Sequence, residues 1–472
     1  MTSGENIPQY PMDFLSLKPT DENIMSTFEM DLISRNSDVL RMASILQNID
    51  RGASIALDAR WGAGKTFFVK QLKMVLDAYN SFTVVLSDSD KQRIKTICNK
   101  YRITDDLGPM VTVYYDAWAN DNDIDPMLSI VYSIINEAHD DYQIEKSTDY
   151  VKIAGSIFEL VTGRDVNSLI ESLRGEEPLV RIKETKDVQD KIIDFLSSLL
   201  PERGNKLVVI IDELDRCRPS YAVQLLERIK HYFDCDNICF VFSVNLFELQ
   251  HTIKQYYGSG FDASKYLDRF FDMTVSLPPA DMQAYYQNIG LENGSWVYES
   301  VCKRVVETFH FELREISRFY SLAKAAAYKP AHDNGNSMRF AFSDGKALRF
   351  SIICIVPIII GLRIKDYSEY AAFIEGRNPE PLYQVLKSND IAIGLCNFLL
   401  NNNETYNRVN DSDTRQEVDL KIKLQQVYEA LFVHDFEKDY APISVGDTTF
   451  ERDTKKEVLR IASGFSNYAS FN

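Results

Sequence analysis

The chain has 472 residues, more than one hydrophobic core usually organises, so two or three domains are expected. Its 52 basic and 69 acidic residues give a net charge of −17, the wrong sign for a protein that mainly wraps nucleic acid by neutralising phosphates, although a local basic patch stays open. Its seven cysteines lack the paired spacing of a zinc site and, with the lack of a signal-peptide pattern at residues 1–6, predict a cytoplasmic protein.

A phosphate-binding loop is the first chemical motif along the chain. Residues 28–48 carry apolar side chains at helical spacing and precede an apolar strand at residues 55–57. This strand runs into Gly-Ala-Gly-Lys-Thr at residues 62–66, followed by a helical pattern. A tight turn of backbone N–H groups at the start of a helix binds the β- and γ-phosphates of a nucleotide. Lys65 is predicted to supply positive charge, and Thr66 a hydroxyl ligand for Mg²⁺.

The loop departs from the usual pattern at one position, since Ala59 stands where most such loops carry their first glycine. An ordinary loop is the alternative interpretation, because Gly-Lys-Thr is a common tripeptide. The residues expected to contact the nucleotide are Trp61, Gly62, Ala63, Gly64, Lys65, Thr66 and Phe67.

Two strands and a helical insertion are predicted next. Strands are expected at residues 82–86 and 111–115. Charged helical patterns then occupy residues 127–138 and 151–200, so residues 119–200, approximately, are expected to form a helical insertion.

A second motif is the apolar run at residues 207–211, which ends in Asp212 and Glu213. Such a run is typical of a strand buried on both faces, and its acidic end matches a Walker B motif. Asp212 is predicted to hold Mg²⁺ through water, and Glu213 to accept a proton from the attacking water. An ordinary buried strand before a solvated turn is the alternative, but both motifs in this order favour nucleotide binding. Asp215 either orients water, supports Arg216, or forms with it a surface ion pair worth about 0–1 kcal/mol.

The elements after this motif complete a parallel sheet. Ser220 is placed to cap a helix that leads to a buried strand at residues 238–244. Additional-strand NTPases carry a sensor of the γ-phosphate at the end of such a strand, and Asn245 is the first candidate, with Ser243 the second. A strand at residues 273–277 closes the sheet. Parallel strands with helical crossovers predict a doubly wound α/β core with the ligand at their carboxyl ends.

The last third of the chain is predicted to be mainly helical. Polar breaks at residues 331–337 and 401–413 interrupt the helical pattern. The apolar run at residues 350–362 falls short of the roughly 20 residues that cross a bilayer, so a buried helix or strand is expected and no membrane span. The histidines show no metal spacing and no nucleophile arrangement.

Five short motifs carry a family resemblance. They are Trp-Gly-Ala-Gly-Lys-Thr at residues 61–66, Tyr-Asp-Ala-Trp at 115–118, Asp-Glu-Leu-Asp-Arg at 212–216, Tyr-Leu-Asp-Arg at 266–269 and Leu-Arg-Glu-Ile-Ser-Arg-Phe at 313–319. Together they resemble the KAP family of P-loop NTPases, a branch of the STAND-like additional-strand NTPases, over roughly residues 28–325. Asp116 stands where the family has Asn, and Glu213, where the family usually has Asp, fits an active hydrolase better.

The resemblance implies the domain organisation and the remaining site residues. The expected domains are an N-terminal segment at residues 1–27, a P-loop NTPase core at 28–280, a helical lid at 281–330 and a mainly helical C-terminal domain at 331–472. Arg269 and Arg314 are implied to read the γ-phosphate, from a neighbouring subunit or from the lid; the alternative for each is an ordinary surface or interdomain arginine. The expected catalytic residues are Glu213, Lys65, Asn245, Arg269 and Arg314.

The resemblance also implies a function. The predicted helical insertion has no apolar run that could span a membrane, as in the soluble branch of the family, whose prokaryotic members are associated with defence against phage, often beside partner genes. We therefore expect an ATP- and Mg²⁺-dependent ATPase that acts as a nucleotide-gated switch for a protein effector partner encoded nearby, and a homo-oligomer is a further expectation. Two alternatives stay open: a nucleotide-dependent scaffold without turnover, and a DNA-remodelling ATPase, which the net charge disfavours.

Overall fold

The computed structural model describes residues 18–102, 107–123, 125–142, 203–232, 237–288, 297–328, 346–387, 413–446 and 448–464. The chain forms two compact units, one at residues 18–284 and one that begins at Tyr285. The helical stretch predicted at residues 151–200, the break predicted at 331–337 and, except for Asp413, the break predicted at 401–413 lie outside the described residues.

The first unit alternates α-helices with β-strands. Its elements in chain order are α1 (Asp21–Met30), α2 (Asn36–Asn48), β1 (Ala53–Asp58), α3 (Lys65–Tyr79), α4 (Asp88–Asn99), β2 (Met110–Asp116), α5 (Pro126–Tyr142), β3 (Lys206–Asp212), α6 (Pro219–Tyr232), β4 (Ile238–Val244), α7 (Leu246–Tyr257), α8 (Ala263–Leu267) and β5 (Met273–Ser276). The next helix, α9 (Met282–Asn288), contains the boundary between the two units.

The five strands form one parallel sheet in the order β2-β3-β4-β1-β5. β4 therefore lies between β1, which leads into the phosphate-binding loop, and β3, which carries the acidic motif. The register pairs Asp58 with Val244 and Asp212 with Ser243. The carboxyl ends of these three strands therefore lie side by side along one edge of the sheet, the carboxyl edge. The predicted parallel α/β core is confirmed, and so are all the predicted strands except the one at residues 82–86.

Both faces of the sheet are covered by helices. Successive side chains of a strand point to opposite faces, so a continuous apolar strand places apolar side chains on both. On one face Leu57 and Val241 pack with apolar side chains of α2 and α3. On the other face Val209 and Phe242 pack with those of α5 and α6. Burial on two sides explains why the central strands are continuous apolar runs and not alternating ones.

Side chains of α5 cover the free edge of the sheet at β2. The Tyr142 hydroxyl accepts the N–H of Thr112 at 2.9 Å, and the Glu137 carboxylate accepts the N–H of Tyr114 at 2.9 Å. These oxygens satisfy backbone donors that a further strand would otherwise pair with. Within the described residues, side chains of α5 and not a further strand satisfy these two donors.

Two local predictions on helices are wrong. The helical stretch predicted at residues 28–48 is broken between α1 and α2, where Asp31 and Ser34 have left-handed φ angles of 47° and 55°. The helix after β3 begins at Pro219, so Ser220 lies inside it and not at its cap. Proline suits the first turn because the N–H it lacks would have no partner there.

The strand predicted at residues 82–86 is a loop. Phe82 and Val84 are 41% and 49% exposed, so no core covers them. Asn80 starts the turn by accepting the N–H of Phe82 at 2.9 Å, and the N–H of Val84 donates to the carbonyl oxygen of Asp141 on α5. A β-branched run favours a strand only where a neighbouring strand and a covering layer are available.

The second unit is mainly helical, as predicted. Its elements are α10 (Val297–Phe309), α11 (Leu313–Ala323), α12 (Lys346–Phe350), α13 (Val356–Lys365), α14 (Tyr367–Ile374), α15 (Glu380–Leu386), α16 (Asp413–Tyr428), β6 (Ile443–Val445), β7 (Thr448–Phe450) and α17 (Arg452–Ala462). β6 and β7 pair as an antiparallel hairpin that the sequence did not reveal.

α12 and α13 join into one apolar helix through a π-helical turn at Ser351–Ile355. Pro357 follows this turn and has no backbone N–H to donate. The wider π-helical turn lets the helix continue past this missing hydrogen bond. By length and composition Ala347–Lys365 could cross a membrane, but 78% of its most apolar window is buried inside the molecule. The buried element predicted at residues 350–362 is thus confirmed as a core helix.

Candidate nucleotide-binding site

The loop between β1 and α3 has the backbone that anion binding requires. Gly62 and Gly64 have φ angles of 86° and 88°, which residues with a Cβ rarely adopt. Gly64 is also the N-cap of α3, where the first N–H groups of the helix lack intrahelical partners and the helix dipole is positive. The predicted nucleotide contacts at residues 61–67 all lie in this loop or in the first turn of α3.

The lysine of the loop is buried and is held by the loop itself. The Nζ of Lys65 donates to the carbonyl oxygens of Ala59 at 2.7 Å and Arg60 at 3.3 Å. Burial lowers the pKa of Lys65, while the nearby carboxylates of Asp215 and Asp212 raise it. The loop and the acidic end of β3 therefore meet at one place on the sheet edge.

Asp212 is a buried carboxylate at the end of β3. Its Oδ1 accepts the N–H of Glu213 at 3.0 Å, and its Oδ2 accepts the hydroxyl of Tyr114 at 3.0 Å. Burial, with the charge of Asp212, raises the pKa of Tyr114, so this hydroxyl stays a donor. Across the sheet, Asp212 pairs with Ser243, whose buried hydroxyl has no hydrogen-bond partner among the described residues.

Asp215 and Arg216 do not pair with each other in the described part of the chain, so the two alternatives that join Asp215 to Arg216 are wrong, while the water-orienting role of Asp215 stays a prediction. Asp215 is buried, and its Oδ2 accepts the indole N–H of Trp61 at 2.5 Å. Arg216 forms an ion pair with Glu213 instead. Burial and the nearby charge of Asp212 raise the pKa of Glu213 to about 7, while Arg216 lowers it.

Asn245, the first sensor candidate, follows β4 and caps α7. Its Oδ1 accepts the N–H of Glu248 at 3.4 Å, a long capping bond. Burial raises the pKa of Asp215, and the backbone N–H of Asn245, which faces the Asp215 carboxylate, opposes this rise. The structure thus brings Asn245 close to Asp215 at the carboxyl ends of the strands. The side-chain oxygen of Asn245 is used in the helix cap.

The two predicted arginines are placed differently from the other site residues. Arg269 is exposed in the turn after α8, just before Asp272, whose carboxylate accepts the N–H of Ser54 at 2.8 Å. Ser54 lies at the amino end of β1, whereas the loop follows its carboxyl end, and a six-residue strand spans about 17 Å. Arg269 is therefore at the opposite end of the sheet from its own loop. Arg314 is exposed on α11, in the second unit.

Two residues that the sequence analysis missed support the site. Buried Arg35 donates to the carbonyl oxygens of Ala63 at 2.6 Å and Pro278 at 2.5 Å, which ties the loop to the segment after β5. These partners lie 28 and 243 positions away, so no local motif marks Arg35. Tyr114 does have a local signal, because it stands next to Tyr115 in a predicted strand. Strand alternation places the two side chains on opposite faces of the sheet.

The described residues fit a nucleotide with Mg²⁺. The positive φ angles of Gly62 and Gly64 require glycine. Glycine also lets a phosphate approach the backbone closely. Thr66 in the first turn of α3 and Asp212 at the end of β3 offer a hydroxyl and a carboxylate, and the hydroxyl of Ser243 is buried and unused. Oxygen ligands of this kind, completed by phosphates and water, suit Mg²⁺. Among the described residues, no group of three or more His, Cys, Asp or Glu side chains forms a ready-made metal site.

Comparison with known proteins gives one family match. The model of the "KAP family P-loop domain" matches residues 35–319. No curated protein matches the chain. A solved structure described as "Structure of the Aeropyrum Pernix ORC2 protein (ADPNP-ADP complexes)" aligns with 85% of this chain and 95% of that chain, at 12% identity and a TM-score of 0.31, too low a similarity to support an argument.

Proposed function

Because the chain belongs to the KAP family of P-loop domains, we propose that it binds ATP with Mg²⁺, hydrolyses it and acts as a nucleotide-gated switch. The observation that supports this proposal best is the meeting of Lys65 with Asp212 and Glu213 at one edge of the sheet. A phosphate-binding lysine, a metal-binding carboxylate and a second acidic side chain are the parts that phosphoryl transfer to water requires.

Each residue has a distinct role in this proposal. The loop N–H groups and Lys65 bind the phosphate oxygens and stabilise the negative charge of the transition state. Thr66 and Asp212 hold Mg²⁺, which when bound neutralises charge on the β- and γ-phosphates. Glu213 accepts a proton from the attacking water once its ion pair with Arg216 opens.

The remaining predicted residues are proposed to act around this centre. Asn245 presents its side-chain amide near the γ-phosphate, from its position at the end of β4. Arg269 acts on the nucleotide of a neighbouring copy, since its own loop lies across the sheet, and this role requires a homo-oligomer. Arg314 is proposed to respond to the nucleotide from the helical lid.

The cellular role is proposed from the family alone. Association of its soluble prokaryotic branch with defence against phage favours a cytoplasmic switch that controls a protein effector. A nucleotide-dependent scaffold without turnover is the second candidate, and the engagement of Glu213 by Arg216 favours it. The net charge of −17 disfavours the third, a DNA-remodelling ATPase.

Binding and turnover of ATP test the proposal on the full-length protein. We expect wild type to bind ATP and release phosphate, Lys65→Ala to lose both, and Glu213→Gln to keep binding while losing turnover. Exposed Glu22→Gln on α1 removes a carboxylate from another part of the same unit and serves as the matched control. Binding without turnover in wild type under all conditions, including added DNA, would establish the scaffold, whereas turnover stimulated by DNA would favour the remodelling ATPase.

A further inference from the structure

Arg216 lies against three side chains at the edge of the nucleotide site. Its guanidinium is 6.0 Å from the ring centroid of Trp61 and 5.6 Å from that of Trp118. It also forms the ion pair with Glu213, and the two paired side chains are only 22% and 17% exposed. An arginine shielded by two indole rings holds its carboxylate partner more firmly than a fully solvated arginine does.

The same loop tryptophan is held by the residue next to Arg216. Trp61 donates its indole N–H to the buried Asp215 carboxylate at 2.5 Å, and Asp215 and Arg216 lie in one 3₁₀ turn at Leu214–Arg216. Asp215 Oδ1 accepts no hydrogen bond within the described residues, so the bond from Trp61 is an important compensation for its burial. This hydrogen bond therefore connects the loop directly to the turn.

The backbone at Glu213 is in a sparsely populated conformation. Its φ and ψ are 62° and 23°, the left-handed region that glycine and asparagine prefer. Such a conformation persists where surrounding contacts hold it. The contacts here include the ion pair to Arg216, the backbone bond from the N–H of Arg216 to the carbonyl oxygen of Glu213 at 3.1 Å, and the bond from the N–H of Glu213 to Asp212 at 3.0 Å.

We propose that Arg216 is a latch that holds the Glu213 carboxylate at rest, and that the phosphate-binding loop controls this latch through Trp61. A carboxylate oxygen occupied by a guanidinium is not free to accept a proton from water. When the loop moves at Trp61, the bond to Asp215 and one of the two rings that shield Arg216 are lost together. Arg216 is thus a positioning residue, and its latch rests on the proposed role of Glu213.

Tryptophan fluorescence tests the latch independently of turnover. The chain has three tryptophans, and Trp296→Phe leaves the two whose rings contact Arg216. In this parent protein, a non-hydrolysable ATP analogue is expected to shift the emission. With Arg216→Gln added, the analogue-free protein should already show the shifted emission, the analogue should change it little, and affinity for the analogue should be unchanged.

Two controls make the fluorescence result specific. Arg93→Gln removes an exposed arginine of α4 and should behave as the parent does. Arg216→Lys keeps the charge and should restore much of the parent response, which also covers the case in which the glutamine variant does not fold. If the analogue shifts the emission of Arg216→Gln as fully as that of the parent, the shift reports the nucleotide itself and the latch is overturned. Loss of analogue binding also overturns it, because Arg216 would then bind phosphate.

Turnover separates this inference from the proposed function. The latch predicts that Arg216→Gln releases phosphate at least as fast as the parent. A fall in turnover with binding retained overturns the latch, because Arg216 would then be required for catalysis. If no variant hydrolyses ATP but the fluorescence responds as expected, the hydrolytic function is refuted while the coupling of Trp61 to Arg216 stands.

Discussion

Glu137 is a partly buried carboxyl group whose surroundings disfavour its charged form. Its Oε2 accepts the N–H of Tyr114 on the edge strand, and the Nζ of Lys73 is 3.9 Å away. Burial nevertheless raises its pKa to about 7, with a further contribution from the negative charge of Asp141. The neutral form of Glu137 is therefore favoured in the folded protein at pH values where the unfolded chain carries the charged form.

We expect this residue to make stability depend on pH. Because the folded-state pKa lies above the usual value of 4.5, the folded state binds more protons, so stability falls as pH rises from 4.5 to about 7. Glu137→Gln cannot ionise, so its stability relative to wild type should rise over this window, by up to about 3 kcal/mol. Urea unfolding of both proteins at several pH values measures the difference, with exposed Glu22→Gln as the control. A difference that does not change with pH would show that folding leaves the pKa of Glu137 at its ordinary value.

The residue scale also shows what a motif can and cannot reveal. Lys65 and Asp212 are predictable, because fixed spacing to neighbouring residues determines where a phosphate or a metal meets the backbone. Arg35 is not predictable in this way, since its partners come from two distant segments. The pairing of Arg216 with Glu213 was missed for another reason: a turn offers several carboxylates, and only the left-handed backbone at Glu213 selects one.

At the scale of elements, Lys73 connects α3, which begins at the phosphate-binding loop, to α5. Its Nζ is 3.0 Å from Asp77 on α3 and 2.9 Å from Asp141 on α5. The lysine is 16% exposed, and the charges of these carboxylates raise its pKa well above its usual value despite burial. This cluster fixes the helix of the nucleotide site against the helix that closes the sheet edge.

Replacing Lys73 by methionine should therefore destabilise the first unit strongly. The change leaves buried carboxylates without their cation, which costs about 3–5 kcal/mol. Arg41→Met is the matched control, because Arg41 is 68% exposed and its pair with Asp38 on α2 contributes about 0–1 kcal/mol. Urea unfolding midpoints of the full-length proteins give the comparison, and similar losses in both variants would contradict a structural role for the buried cluster.

Gly361 provides a second prediction at this scale, in the packing of α13 against α10. A Cβ at this position would lie 2.4 Å from Cγ1 of Val305 and 2.9 Å from Cε2 of Phe309. Alanine improves helix propensity by about 1 kcal/mol, but the overlap should outweigh this gain and produce a net loss of about 1–3 kcal/mol. Gly260→Ala, where no heavy atom lies within 4 Å of the new Cβ, is the control in a thermal-unfolding comparison. A stabilised Gly361→Ala protein would show that the two helices separate easily.

The elements differ in how far the sequence determined them. The strands at residues 207–211 and 238–244 were predictable, because burial on both faces leaves a continuous apolar run in the sequence. The segment at residues 82–86 has a similar local composition but no neighbouring strand in the part of the chain that the structure describes. Strand pairing is a non-local property that composition does not carry. The π-helical turn at Ser351–Ile355 and the hairpin after α16 were likewise invisible, since both depend on packing.

At the scale of the whole molecule, the two compact units have separate sets of buried cysteines. Cys98 and Cys239 lie in the first unit, as does Cys217 after the turn that carries Arg216, and Cys302 and Cys354 lie in the second; all are free thiols. Burial raises the pKa of each thiol, to about 12 for Cys98. A buried, protonated thiol does not react with an alkylating reagent, so modification of each cysteine reports the unfolding of its own unit.

Nucleotide binding should therefore protect one set of cysteines and not the other. A ligand that binds only the folded first unit lowers its unfolded fraction about 100-fold at 100 times the dissociation constant, about 2.7 kcal/mol. Pulse alkylation in urea, read by mass spectrometry with a non-hydrolysable ATP analogue, should slow at Cys98 and Cys239 and stay constant at Cys302 and Cys354. In Lys65→Ala the analogue should protect none of them, because the loop no longer binds it. Equal protection of all four in wild type would mean that the units unfold together, and protection confined to Cys302 and Cys354 would place the nucleotide outside the loop.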